Sequence, residues 1–173
     1  DIRQTQGRDP KQARLTEGSK DMESALTTLL NFSAVPVEAD QGLEIPAYYD
    51  SQQMKLYVSP EFSDTDAFAA IATEVAHSRF HDKGRNQYYS REECHLDAES
   101  VSYILCRRFG IERDMPELSG LRELYNGWGG EDIRRALDYV QDMSKKIGGS
   151  IQQGIAPQQH TRSSRQPSRR PAR

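Results

Sequence analysis

The sequence predicts an α+β fold, with a small antiparallel sheet and its hairpin packed on a helical core. Three observations carry that class. Short β-prone runs (VPVEA, LEIPAYYD and MKLYVS) gather between residues 35 and 59, helix-spaced apolar residues lie on both sides of them, and no segment repeats.

The elements follow in order. In residues 19 to 32, SKDMESALTTLLNF, Met22, Leu26, Leu29 and Leu30 recur at helical spacing behind a Ser19 cap. The β-prone runs come next. Asp50-Ser51-Gln52-Gln53 is the expected hairpin connection, with Tyr49, Leu56 and Val58 packing on the sheet. Ser63, Asp64 or Thr65 then caps a helix with Phe68, Ile71, Ala72, Val75 and Ala76 on its apolar side and Gly84 as its stop. Ser90-Arg91-Glu92-Glu93 has the form of a capping box, and Cys94, Ala98, Val101, Leu105 and Phe109 make the stripe of a second long helix ending at Gly110. A helix from about Leu118 to Tyr125 follows. The last helix is predicted from Glu131 to Ile147, with Ile133, Leu137, Val140 and Ile147 inward and Gly148-Gly149 ending it.

The mean hydropathy of −0.83 is low for a chain packed throughout, and the composition of the ends explains it. Residues 1–18 and 151–173 read as flexible segments around a folded domain at 19–150, since both are poor in large apolar residues and rich in polar ones. The net charge is −3, and residues 160–173 hold five Arg and no acid; without those five charges, residues 1–159 carry −8. An acidic body disfavours binding of a phosphate backbone, so any nucleic-acid contact is expected to be weak and to run through the Arg-rich tail.

No apolar run approaches the roughly 20 residues that cross a bilayer, so no membrane partner is expected. The absence of Met at position 1 suggests a longer parent chain. Cys94 and Cys106 fall twelve residues apart on one predicted helix, about 18 Å along its axis, too far to bridge. A reducing, cytoplasmic setting is the simpler expectation.

The chemistry gathers on the two central helices. Residues four apart on a helix stand above one another, so Thr73, His77 and His81 of IATEVAHSRFH form a ladder with Glu74 beside it. This stretch is one substitution from H-E-x-x-H, in which two His hold Zn²⁺ and the Glu takes a proton from the metal-bound water. Thr73 stands at the first His position. On the next helix His95 and Glu99 share a face and are the candidates for a third ligand, whereas Asp97 points away by about 160° at 100° per residue.

From Tyr48 to Gly110 the chain resembles the zincin-like metallopeptidase domain of the antirestriction ArdC and LtrC-like group of plasmids and conjugative elements, distantly similar to ImmA/IrrE peptidases. The residues that carry the resemblance are KLYVSPEFSDTDAF, IATEVAHSRFHDKG and SREECHLDAESVSYILCRRFGIE. It implies a zincin-like fold, a place in a larger mobile-element protein, Glu74 as catalytic base and His77 as zinc ligand. Two departures stand against the group's pattern: Thr73 for the first histidine, and His95 at the expected carboxylate, one turn before Glu99.

Three readings of the site are open. The metal is lost and the degenerate domain binds a peptide or protein partner, with Thr73 and Tyr57 as binding residues. Alternatively, a rebuilt zinc site uses His77 and His81 with His95 or Glu99, although a shift of one turn, about 5.4 Å, leaves Glu74 away from the attacking water. Or Glu74 and His77 still serve a zinc-dependent peptidase. An accessory role in DNA binding or antirestriction is the remaining class, supported in the chain by the Arg-rich tail.

Each residue also has a purely structural role open to it. His81 suits a helix C-terminus, where the dipole favours it. Glu74 could pair with His77 or Arg79, and it would be costly on an inward face without some partner. The aromatic residues Tyr48, Tyr49, Tyr57, Tyr88, Tyr89 and Trp128 either line a peptide cleft beside an edge strand or pack the sheet on the helices.

Overall fold

The structure is a computed structural model and describes residues 13–155. It is α+β: five helices and one three-stranded sheet, in the order α1 (Lys20–Asn31), β1 (Val37–Ala39), β2 (Ala47–Asp50), β3 (Lys55–Val58), α2 (Asp64–Phe80), α3 (Arg91–Phe109), α4 (Leu121–Leu124) and α5 (Gly130–Ile155). A short 3₁₀ turn, Asp82–Gly84, follows α2.

The expected caps form. The Ser19, Ser63 and Ser90 hydroxyls accept the amides of Met22, Asp66 and Glu93, which supplies acceptors to first-turn N–H groups that have none inside the helix. Gly110 closes α3 at φ 70, a left-handed conformation that costs a glycine little.

The sheet departs from the all-antiparallel expectation. β2 and β3 form the hairpin, pairing Tyr49 with Leu56 and Tyr48 with Tyr57, but β1 runs parallel to β3 and leaves it in the centre. All three residues of β1 are exposed, so it carries no apolar alternation to announce its direction. Main-chain bonds hold it, from Leu56 N to Pro36 O and from Asp40 N to Val58 O, each 2.9 Å.

The core lies where α2 meets α3 and where α1 and α5 cover them. Phe68, Ile71, Val75, Val101, Leu105 and Phe109 are buried, as their spacing predicts. Cys106, not Cys94, belongs to the α3 core stripe, and both thiols are free.

Both ends of the packed body extend past the expected 19–150. Leu15 is buried and its amide bonds Phe109 O at 3.0 Å, while the Glu17 carboxylate accepts the amides of Asp64 and Thr65 at the start of α2. At the other end α5 runs through Gly148-Gly149 to Ile155, with Met143, Ile147 and Ile151 buried and Leu137 exposed. Gly148 is a contact residue: a Cβ there would stand 2.6 Å from Arg108 Nη1. The rest of the two expected flexible segments, residues 1–12 and 156–173 with the Arg-rich run, lies outside the described residues.

Candidate functional site

The antiparallel pairing of α2 with α3 brings Glu74 and His77 against the first turns of α3, beside the outer edge of β2. Glu74 and His77 are 5 % and 0 % exposed, so every polar atom they carry needs a partner from the protein.

Glu74 finds partners from two elements. Its Oε2 accepts the Tyr49 amide of β2 at 2.8 Å and Arg91 Nη1 at 2.9 Å, and its Oε1 accepts Arg91 Nη2 at 2.5 Å. This is the bidentate fork for which a planar guanidinium is suited. Arg91 also reaches the Tyr49 carbonyl at 3.4 Å and lies over the Tyr48 ring, 5.0 Å from its centroid. The partners open to Glu74 from sequence are bound elsewhere: Arg79 donates to Phe32 O at 2.6 Å, and His77 turns to other groups.

His77 sits in a hydrogen-bonded chain. Tyr89 Oη lies 3.1 Å from its Nδ1, and His95 Nδ1 lies 3.2 Å from its Nε2. Burial, then the Arg91 charge and then His95 push the His77 pKa down to about 3, so the ring is neutral near pH 7. Burial raises the Tyr89 phenol well above its usual range, which keeps its proton. Tyr89 therefore donates to His77 Nδ1, and His77 Nε2–H donates to His95 Nδ1. The half-exposed His95 then directs Nε2 toward Glu99, 3.9 Å away.

His81 takes a separate course. It caps the end of α2, its Nδ1 is 2.6 Å from Tyr49 Oη, and the Tyr89 ring stacks on it at 4.5 Å between centroids. Burial, with Asp50 adding to it, pushes the Tyr49 phenol up to about 12. Thr73 turns its hydroxyl back to Ala69 O at 3.2 Å, the same carbonyl that accepts from Ser102 at 2.6 Å and Arg113 at 3.1 Å. Arg113 also pairs with Glu99 at 3.4 Å. In front of these groups is an open cleft of about 410 Å³, lined by Thr73, Glu74, His95, Glu99 and Arg113.

The donor set of the described residues does not fit a zinc ion. The 3.2 Å between His77 Nε2 and His95 Nδ1 suits a hydrogen bond and is also near the roughly 3.3 Å edge of a tetrahedron with Zn–N of about 2.0–2.1 Å. Among the described residues no third donor joins them: His81 pairs with Tyr49, Glu74 with Arg91 and Glu99 with Arg113. Among the described residues no three His, Cys, Asp or Glu side chains converge as a metal requires.

Of the residues singled out from sequence, Thr73, Glu74, His77, His95 and Glu99 come together, and Asp97 points away as helix geometry requires, bonded by Tyr125 Oη at 3.2 Å. His81 joins the cluster only through Tyr89 and Tyr49. Tyr57 does not join it: on β3 it alternates with the buried Leu56, faces outward, and bonds Gln53 of the hairpin turn at 2.9 Å. Sequence reasoning missed Arg91 as a site residue, and named Tyr89 only among the aromatic residues that line a cleft or pack the sheet. Arg91 left one signal, a cation in the first turn of a helix, where the dipole disfavours it unless an anion is near.

No family model matches the chain, and no curated protein matches it. Among solved structures it is similar to the metal-free crystal structure of the antirestriction ArdC protein from the R388 plasmid. Identity is 21 %, with a TM-score of 0.49 over 85 % of this chain. The chain spans 56 % of that protein's chain. A likeness of that degree leaves the site to be read from this chain's own geometry.

Proposed function

We propose that this chain is a zincin-like helix-pair domain in which the peptidase machinery has become a structural lock, and that it works as a non-catalytic binding module within a larger mobile-element protein. The observation that carries the reading is the state of Glu74. A general base needs a carboxylate oxygen that is not already paired with a cation when it meets the water it deprotonates. Here the carboxylate accepts two guanidinium N–H groups and one main-chain N–H. Thr73, where the first imidazole would stand, offers a neutral hydroxyl already bonded to Ala69.

The same pair affects how a peptide could bind. Alternation along the hairpin turns the Tyr49 N–H and C=O toward the free edge of β2, where an added strand would hydrogen-bond. Glu74 and Arg91 occupy both groups. A partner is therefore expected in the cleft of Thr73, His95, Glu99 and Arg113 and not as an extra strand at Tyr49.

Metal content and hydrolysis test this together. The purified chain should carry well under one zinc and leave an unfolded protein substrate intact. One zinc per chain, with hydrolysis that Glu74→Gln abolishes while the zinc stays, overturns the reading. Thr73→His tells whether the histidine alone is missing: with Glu74 held by Arg91, it is expected to leave hydrolysis absent.

A further inference from the structure

A cavity larger than the cleft of this site lies away from it, on the far side of α3. It measures about 740 Å³ and opens between the end of α2, the first turns of α3 and the N-terminal half of α5. Its apolar wall is aromatic: Phe80, Tyr139 and Trp128, with Phe80 and Tyr139 5.4 Å apart and Trp128 set edge-on to Tyr125 at 5.2 Å. Among the described residues, four carboxylates, Asp97, Asp132, Asp138 and Asp142, ring it against a single cation, Arg135, which leans on Asp132 at 3.6 Å and Glu131 at 4.0 Å. Aromatic faces beside acids are the chemistry that takes a guanidinium, by cation–π attraction and charge-assisted hydrogen bonds. Asp97 is the deepest of the acids. Burial raises its carboxyl pKa while the Tyr125 hydroxyl on Oδ1 lowers it, so a cation would relieve a desolvated carboxylate.

We propose that this cavity is the docking site of the chain's own Arg-rich segment, residues 160–173, which seats a guanidinium against the aromatic wall with the aspartates as partners. Charge complementarity is the first support: five Arg and no acid in the segment meet four Asp in the pocket. Reach is the second. The helix that lines the cavity runs to Ile155, where the segment's leader begins. Asp142 lies about 20 Å and Asp132 about 35 Å back from Ile155 along the axis, at 1.5 Å per residue. An extended chain from Ile155 covers about 33–36 Å by Arg165 and close to 50 Å by Arg169. Arg165, Arg169 and Arg170 thus reach the cavity within one molecule, and tethering gives them an effective concentration of about a millimolar.

Trp128 is the only tryptophan and lies in the wall, so its fluorescence reports occupancy in the full chain. Acrylamide quenching should be measured on the wild type and on R162Q/R165Q/R169Q/R170Q/R173Q, at about 0.02 M and about 0.5 M salt, where the Debye length falls from about 20 Å to about 4 Å. The expected wild-type quenching constant is about half that of the variant at low salt and equal to it at high salt, as screening releases an exposed ion pair. Asp138→Asn/Asp142→Asn, with the tail intact, should reproduce much of the tail variant's loss. Equal quenching of both chains at both salts overturns the proposal. So does protection that grows with protein concentration, which would assign the pocket to the tail of a second copy.

Discussion

The two ends of the α2–α3 seam bury their α2 side chains alike and are built from different material. At one end Phe68 and Phe109 meet edge to face, 6.3 Å apart, with Ile71 and Leu105 fully enclosed around them. At the other, Glu74 and His77 are buried as deeply, but each is held by directed bonds to residues outside α2: Tyr49 of β2, Tyr89 of the connecting loop, and Arg91 and His95 of α3. The apolar end tolerates rotation and small slips, since burial has no direction. The polar end admits one register, because a buried donor or acceptor that misses its partner costs about 1–3 kcal/mol. The seam thus gains adhesion from one end and alignment from the other.

Breaking each end separately sharpens this contrast. Phe109→Ala should cost about 3–5 kcal/mol in chemical denaturation, by lost burial and the cavity left behind. Arg91→Leu should cost about 3 kcal/mol, since it leaves the Glu74 carboxylate buried without its cation while Arg91 itself is 35 % exposed. Replacing both partners, as Glu74→Gln with Arg91→Met, should return to within about 1.5 kcal/mol of the wild type, because an apolar or neutral pair no longer strands a charge. A cost for the double variant as large as for Phe109→Ala would show that the polar end supplies adhesion as well.

Acid titration reaches the polar end alone. His77 binds a proton at about pH 3 in the folded chain and near its ordinary value of about 6.5 when unfolded. The unfolded state therefore takes up protons first. The stability that His77 contributes is complete above about pH 6.5 and declines toward pH 3, by up to about 1.4 kcal/mol per unit. His77→Gln should flatten that slope between about pH 6.5 and 5, before the carboxylates titrate. The smallest effect is expected at Tyr57, whose hydroxyl bonds only the exposed turn: Tyr57→Phe should change stability by less than about 0.5 kcal/mol.

The apolar end was legible because periodicity alone names it. The stripe of α2 and the caps of α2 and α3 follow from spacing and from hydroxyl residues at helix starts. The pairs 73 and 77 and 95 and 99 come together for the same reason, while His81, at the cap of α2, turns to Tyr49. What spacing could not supply was the choice of partner. Whether Glu74 meets water, a metal or Arg91 depends on where the loop after α2 returns the chain, and Tyr89 comes from that loop. Gly148-Gly149 misled in the other direction. Gly148, read with Gly149 as punctuation, serves close contact against Arg108, so α5 runs on past both. Leu15 went unnoticed as one apolar residue in a polar run, although it closes the core beside Phe109.

The commitment of Glu74 to Arg91 is tested most directly by a double-mutant cycle on stability with Glu74→Gln, Arg91→Met and the pair. A coupling of about 2 kcal/mol or more is predicted, as for a buried bidentate pair that shares a network. A coupling below about 0.5 kcal/mol, the value of a solvent-exposed pair, would mean that the carboxylate stands free and is available as a base.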